Sequence, residues 1–419
     1  MSDPKRVRLS DSDDCGDRGG DNSTGESNGT GRAQKFSAEF ALLAQNTVVL
    51  PSGIGSISAL ATYSRDAREY GNVNAEGDME DGAVQDLIPK IAIGTDTGYV
   101  ALISDDGKAT VLEHSGNPAI QRLLVTKSTS GSTALSKDAL VPDVISGDSD
   151  GRVTVFTMGR MISRVTLSAP VSAIAFDENP NTPRSFIVGD MSGTVTAGHT
   201  QGILWRAQTD TSISESSRLN KNGIRDPGIT SVCAVRFTDD HGMLTSYVLT
   251  ATENNHIQLL SRGFPVLTVP VSAQCSCMCT GVFYLQKKPA SHKLATQAII
   301  GDDAGWLHVL DSFKMTPFAQ VDYPVTSVVA IPLRAFVNQD GPDVVVCATR
   351  SNMLYVLHAK RIVGTYAADF WPAAMEVYIP ASSEMSPTIL IAENKVVGNQ
   401  NAVCLLHKIS LSLSESNKE

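Results

Sequence analysis

One pentapeptide of the sequence matches a catalytic motif letter for letter. Residues 147–151 are Gly-Asp-Ser-Asp-Gly, which fits the G-x-S-x-G nucleophile elbow, where a strand–turn–helix bend exposes the serine above an oxyanion hole. The residues that follow, Val153 to Phe156, predict a strand where the elbow needs a helix. The same turn recurs without serine at that place from residues 94, 301 and 348. We therefore expect Ser149 to lie in a turn and not to be a nucleophile.

A run of three cysteines is the second candidate for chemistry. Cys275, Cys277 and Cys279 alternate along the chain, as metal ligands can, but alternate residues of a strand share one face, so a core face of small residues explains them as well. No CxxC pair or histidine cluster completes a zinc set. Walker, HExxH and dinucleotide motifs are missing too. We expect no catalytic residue, no cofactor and no metal.

The charge composition restricts the kinds of partner that the chain is expected to bind. The 419 residues carry 34 basic and 44 acidic side chains, for a net charge of −10, which argues against a nucleic-acid or anionic-membrane surface. The sequence has no run of eighteen apolar residues, and its first thirty residues lack the apolar region of a signal peptide. Seven scattered cysteines suit free thiols in a reducing compartment. An intracellular, cytoplasmic protein without a transmembrane segment is expected.

Residues 1–35 differ from the rest of the chain. They are rich in Gly, Ser, Asp and Asn and predict a disordered tail, because they have little apolar surface to bury. Lys5, Arg6 and Arg8 in this tail suit a nuclear address or, alternatively, a solvated charged segment. From residue 36 onward, short runs of Val, Ile, Leu and Thr alternate with Gly, Asp, Asn and Pro, which predicts an all-β chain. Residues 414–419 form a C-terminal tail.

Two independent markers reveal a repeat. The first is a turn between two β runs that closes on Gly or Asn, the residue types that best tolerate positive φ; it occurs at 94–98, 147–151, 189–193, 251–255, 301–305 and 348–352. The second is a proline ahead of an apolar run rich in small residues, where a strand can begin without losing a ladder donor. These prolines are Pro51, Pro118, Pro170, Pro227, Pro270, Pro324 and Pro372.

Each repeat holds about four strands, the content of a propeller blade. Seven repeats predict one seven-bladed β-propeller over residues 36–413. The outer strand of the last blade comes from residues 36–49 or from 408–413, and we favour 36–49 because it joins the chain ends and removes an exposed sheet edge.

Three polar inserts interrupt the repeat at residues 63–87, 127–139 and 209–227. The first carries seven acidic and two basic residues and is either a solvated loop or an acidic surface for a basic partner. Because the inserts differ between equivalent units, they suit contacts specific to one partner.

Aromatic residues mark two of the loops that enter inner strands. Tyr323, Phe370 and Trp371 are candidate anchors for a protein partner. The alternative is that they are buried wedges between blades.

The turn with its following strand, as in residues 142–156, resembles the FG-GAP type of propeller repeat. The Trp-Asp dipeptide of the WD type is missing, and its Gly-His dipeptide does not recur, occurring only at residues 198–199. The stretch from Asp343 to Leu413 is similar to the end of the propeller in the integrin-alpha FG-GAP repeat-containing subunit of the KICSTOR complex, and Bardet–Biedl coat-complex propellers are similar at a lower level. The calcium loops of integrin repeats have no counterpart here, so calcium binding is not implied.

The resemblance implies a non-enzymatic scaffold that works with other protein subunits, regulates TOR nutrient signalling and reaches the lysosomal or vacuolar surface through its partners. Two alternatives remain at this point. One is a propeller enzyme with a site built from loops on the channel face, and the other is a nuclear adaptor.

Overall fold

A computed structural model describes most of the chain from residue 39 onward. The described residues are 39–50, 54–62, 91–103, 108–114, 118–126, 143–157, 159–177, 185–200, 202–209, 227–238, 243–284, 295–337, 341–379, 386–397 and 401–414. The predicted N-terminal tail, residues 415–419 of the predicted C-terminal tail, the inserts 63–87 and 127–139 and almost all of the insert 209–227 lie outside the described residues, as do Pro51, Lys5, Arg6 and Arg8. Ser414, which we assigned to the C-terminal tail, is the last residue of a strand.

The described residues form seven four-stranded antiparallel sheets, which confirms the predicted all-β, seven-bladed propeller. Blade 1 contains β2 (Ile57–Thr62), β3 (Ile91–Thr95), β4 (Tyr99–Ile103) and β5 (Ala109–His114). Blade 2 contains β6 (Ile120–Thr126), β7 (Asp143–Asp148), β8 (Arg152–Thr157) and β9 (Arg160–Thr166). Blade 3 contains β10 (Val171–Asp177), β11 (Ser185–Asp190), β12 (Thr194–His199) and β13 (Gly202–Gln208). Blade 4 contains β14 (Ile229–Thr238), β15 (Leu244–Thr252), β16 (His256–Ser261) and β17 (Phe264–Pro270).

The remaining blades repeat this plan. Blade 5 contains β18 (Cys275–Gly281), β19 (Gln297–Asp302), β20 (Trp306–Asp311) and β21 (Lys314–Gln320). Blade 6 contains β22 (Val325–Ile331), β23 (Val344–Thr349), β24 (Met353–His358) and β25 (Arg361–Ala367). Blade 7 contains β26 (Ala374–Tyr378), β27 (Thr388–Val397), β28 (Asn401–Ser414) and, from the other end of the chain, β1 (Glu39–Val49). A short 3₁₀ turn covers Leu333–Ala335.

Burial follows the order of strands within a blade. The first strand of each blade lies innermost, beside the first strands of both neighbouring blades. Second strands such as β7, β11, β19 and β23 are buried at every residue. Outer strands such as β9 and β17 are largely exposed. The core therefore lies between the faces of adjacent blades; one cluster joins Phe283 and Leu307 of blade 5 to Val345 and Leu357 of blade 6.

The ends of the chain close the ring in blade 7. β1 pairs antiparallel with β28 as the outermost strand. The described part of the predicted segment 36–49, residues 39–49, is therefore its source, and residues 408–413 continue β28. At the seam with blade 1, Asn394 accepts a hydrogen bond from the Ile57 N–H at 2.8 Å and donates one to the Ile57 carbonyl at 2.7 Å. The seam is thus closed by backbone-directed bonds between residues 337 positions apart.

One proline marker is wrong. Pro118, Pro170, Pro227, Pro324 and Pro372 come just before innermost strands, but Pro270 is the last residue of β17, and β18 begins only at Cys275. Its missing N–H is tolerated because β17 is the outer strand of blade 4 and has one unpaired edge.

Candidate functional site

The candidate site is the mouth of a central cavity on one face of the ring. The loops from outer to inner strands meet there with the turns between second and third strands; we call this the mouth face. The cavity has a volume of about 910 Å³. The innermost strands contribute Gln121, Arg122, Ser172, Thr230 and Ser276 to its lining. The turns between second and third strands contribute Met191, Glu253, Asp303 and Arg350.

A repeated β-bulge places the first ring of lining side chains. The pairing register shifts at the second residue of six innermost strands, namely at Ser58, Gln121, Ser172, Thr230, Ser276 and Thr326. Five of these residues carry a hydroxyl. Thr230 donates to the Cys275 carbonyl of the next blade at 2.7 Å, and Ser172 donates to the Gly189 carbonyl of its own blade at 3.1 Å. The bulge thus supplies polar groups that tie the innermost strands together around the mouth.

The turns around the mouth have the predicted backbone chemistry. Their closing residues all have positive φ, as Gly and Asn favour: Gly98, Gly151, Gly193, Asn255, Gly305 and Asn352. A carboxylate before the turn fixes three of them. Asp190 Oδ1, for example, accepts from the N–H groups of Ser192 at 2.9 Å and Thr194 at 3.0 Å. Asp148 and Asp302 make the same pair of bonds.

The mouth face has an excess of negative charge. Arg122 is exposed to the cavity, although the protein around it lowers the pKa of its guanidinium by desolvation; arginine remains charged at neutral pH. Arg350 lies 3.9 Å from Asp303 across neighbouring blades. The described acidic residues of these turns and loops are Asp96, Asp148, Asp150, Asp190, Glu253, Asp302, Asp303, Asp322 and Asp369, against the basic residues Arg122, Arg152 and Arg350.

Ser149 lies at this mouth but not in an elbow. It belongs to the turn between β7 and β8, where its N–H donates to the Ala119 carbonyl at 2.9 Å. A strand follows, as predicted, and no helix dipole or oxyanion loop is built at this turn. The described residues that line the cavity include no histidine or cysteine.

The three cysteines do not share one face, and that expectation is wrong. The bulge at Ser276 changes the alternation of side chains, so Cys275 packs with the core cluster of blades 4 and 5 while Cys277 and Cys279 pack toward blade 6. Burial raises the pKa of the Cys277 thiol to about 12 and that of Cys279 well above its ordinary value. They are protonated packing residues at neutral pH. Among the described residues, no three His, Cys, Asp or Glu side chains are grouped as metal ligands would be.

The aromatic candidates separate into two environments. Trp371 and Tyr323 lie in consecutive interblade loops on the mouth face and are 66% and 46% exposed. Phe370 is only 9% exposed and stacks on His407, with ring centroids 3.9 Å apart and planes within 6°. The wedge alternative therefore describes Phe370, and the exposed pair is available for contact.

Sequence reasoning missed the cavity residues Arg122, Glu253, Asp303 and Arg350. They are far apart in sequence and have no motif. Only their positions in the repeat could have identified them. Arg122 follows the bulge residue of its inner strand, and the other three lie in the recurring turns.

Comparison with known proteins gives the fold. The WD40 β-propeller domain of Doa1 matches with a TM-score of 0.55 at 10% sequence identity, covering 88% of this chain and 97% of that one. BBS1N, crystallised in complex with ARL6DN and soaked with mercury, matches with a TM-score of 0.56 at 10% identity, covering 90% and 97%. No protein-family model and no curated protein sequence matches the chain. Within the described residues, no helix has the length and apolar character needed to cross a membrane.

Proposed function

We propose that this chain is a non-enzymatic scaffold subunit that binds other proteins through its mouth face. The observation that carries the proposal is the pair of exposed aromatics, Trp371 and Tyr323, in consecutive loops of that face. Rigid aromatic side chains that are already exposed contribute large contact areas at small entropic cost, as hot-spot residues do. The neighbouring Asp322 and Asp369 are exposed and add negative charge, so a partner with a basic rim around an apolar pocket fits best.

A propeller of similar fold supports a role in an assembly. BBS1N was crystallised in a complex with ARL6DN, and the seven-bladed ring offers a wide rigid face on which loops can vary without disturbing the blades. An enzyme site at this cavity would draw on the carboxylates of Glu253 and Asp303 and on the hydroxyl and guanidinium groups of the described lining.

The test is cross-linking mass spectrometry on the full chain purified from its own cells. We expect stable protein partners, cross-linked to the mouth face, whose recovery falls about tenfold in Trp371→Ala, as loss of a hot-spot residue does. Met243→Ala is the matched control, because Met243 is equally exposed at 66% but directly precedes β15, at the other end of the strands. Recovery of a free monomer that turns over a small molecule would overturn the proposal.

A narrower form of the proposal places the chain in an assembly that regulates TOR nutrient signalling, in the cytoplasm and at the lysosomal or vacuolar surface. It rests only on the resemblance of residues 343–413 to the KICSTOR propeller subunit, and neither a family model nor a curated sequence adds support to it. The same cross-linking experiment tests it, since it requires that the recovered partners include TOR regulators. A nuclear location that depends on Lys5, Arg6 and Arg8 would favour the adaptor alternative instead.

A further inference from the structure

A band of exposed apolar side chains runs along the outer strands of blades 2, 3 and 4. It starts just after the turns between third and fourth strands, at the end of the blades opposite the mouth face. Ile162, Leu204 and Val266 occupy equivalent bulged positions of β9, β13 and β17. Met161 and Ile203 directly precede the first two, and Phe264 lies at the first residue of β17, paired with Ser261. We call these six residues the rim band. They are 41–74% exposed, with Phe264 the most exposed, whereas large apolar side chains of a monomer are usually exposed singly.

A contact between neighbouring outer strands joins the parts of the band on blades 3 and 4. The ring of Trp205 on β13 lies 3.1 Å from the point where a Cβ on Gly263, in the turn before β17, would stand. Blade 3 therefore packs directly on the turn that presents Phe264.

The outer edges of these blades resist strand addition. The pairing register shifts between Val155 and Phe156 in blade 2, and at the equivalent places in blades 3 and 4. The shifts leave Ile162, Leu204 and Val266 as the extra, bulged residues. Bulges on an edge strand disrupt the row of backbone groups that another strand would need. A ligand of the rim band must therefore bind through side chains, as a helix does.

The charged residues around the rim band indicate which charge that helix carries. Arg160, Arg206 and Arg262 are exposed beside the apolar residues, and none of the three forms an ion pair within the described part of the chain. β9, β13 and β17 contain no acidic residue. The surface around the rim band is thus basic, although the whole chain has a net charge of −10 and its mouth face is acidic.

We infer that the rim band binds an amphipathic helix of a partner protein, with an apolar stripe against the six side chains and acidic residues along its flanks. This inference rests on the proposed scaffold function, to which it adds a second contact surface of opposite charge. Helix-in-surface recognition of this kind uses apolar anchors at i, i+3, i+4 and i+7. The arginines then add charge-assisted contacts at the edges of the apolar stripe.

The test measures binding of two labelled peptides to the full chain by fluorescence anisotropy. Both are helices of about five turns with the same leucine stripe; one carries glutamate on its flanks and the other lysine. We expect only the glutamate peptide to bind, and we expect Leu204→Gln and Phe264→Gln each to weaken it about tenfold. Arg206→Glu with Arg262→Glu should transfer the preference to the lysine peptide.

A control variant keeps this inference separate from the proposed function. Trp371→Gln, on the mouth face, should leave peptide binding unchanged while it impairs recovery of mouth-face partners. The substituted rim residues are exposed, so unchanged urea midpoints should verify that the variants fold. Equal binding of both peptides, or binding that survives Leu204→Gln and Phe264→Gln, would overturn the inference. Two other results would also overturn it. One is that the chain sediments with phosphatidylserine vesicles and that Leu204→Gln and Phe264→Gln abolish this. The other is that the chain self-associates in the ultracentrifuge and that the same variants abolish the self-association.

Discussion

Glu376 gives the sharpest test of the packing around the innermost strands. It lies on β26 between Met375 and Val377, which are 6% and 5% exposed. Desolvation raises the pKa of its carboxyl from 4.5 to about 7, against a smaller opposing effect of the hydrogen bond that it accepts from the Val377 N–H at 3.2 Å. Its charge also raises the pKa of the Cys279 thiol on β18. The folded protein therefore holds a proton on Glu376 that the unfolded chain has lost.

The sign of the effect on stability follows from this proton. Between pH 4.5 and about 7 the folded state binds more protons than the unfolded state at this site, so its contribution to the free energy of unfolding falls as pH rises and is constant above pH 7. The full difference corresponds to roughly 3 kcal/mol at about 1.4 kcal/mol per pH unit. Glu376 is partly accessible to solvent, so we expect about 1–2 kcal/mol after screening.

The experiment compares the native chain with Glu376→Gln by urea denaturation from pH 4.5 to 8. Glutamine has nearly the same shape and cannot ionise, so the variant should match the native chain near pH 4.5 and exceed its stability by about 1–2 kcal/mol at pH 8. Asp369→Asn, in an exposed interblade loop, is the control and should differ from native by less than about 0.5 kcal/mol throughout. Parallel curves for the native chain and Glu376→Gln, or a less stable variant at pH 8, would refute the argument.

Three further predictions concern the ring itself. Gly189→Ala should destabilise the fold by about 2 kcal/mol, measured by urea unfolding, since its new Cβ would overlap Ile229 Cγ2 of the next blade; the double variant with Ile229→Ala should cost less than the sum of the two single changes, because the shorter side chain removes part of that overlap. Asp190→Ala should cost about 1–3 kcal/mol in the same assay because two turn N–H groups lose their acceptor, and Asp190→Asn should cost less because it keeps an acceptor oxygen. Deletion of β1 should leave the edge of β28 unpaired and give concentration-dependent association in sedimentation velocity, whereas a monomer of native stability would contradict this.

The repeat was predictable because its signals are local. A turn that needs positive φ restricts its closing position to residues such as Gly193 or Asn255, whatever the rest of the chain does. Those turns account for six blades, and the seventh was predicted from the proline ahead of the last repeat, Pro372. Pro270 failed as a marker for a related reason, because proline reports only a strand position without a ladder donor, and the edge of an outer strand meets that condition as well as the start of an inner one.

The site was less predictable because it depends on register and on distant contacts. The bulge at Ser276 moves Cys277 to the opposite face from Cys275, and a bulge of this kind has no fixed sequence code. Phe370 became a wedge because His407, which stacks on it, arrives from the closing strand pair of blade 7. An aromatic beside a proline therefore cannot be assigned to surface or core until the closure of the ring is known.

The ring carries two surfaces of opposite charge, the mouth face and the surface around the rim band. All seven blades share the same backbone plan and the same pattern of buried positions. The surfaces of the ring therefore differ only in the exposed side chains that vary from blade to blade. On the mouth face those side chains are carboxylates with Trp371 and Tyr323, and on the rim they are arginines with Phe264 and Leu204. A rigid body with opposite charge on two surfaces discriminates partners by repulsion as well as attraction, because a segment that fits one surface is repelled by the other. Exchange of charge at the rim should therefore change which partner binds there without changing what binds at the mouth.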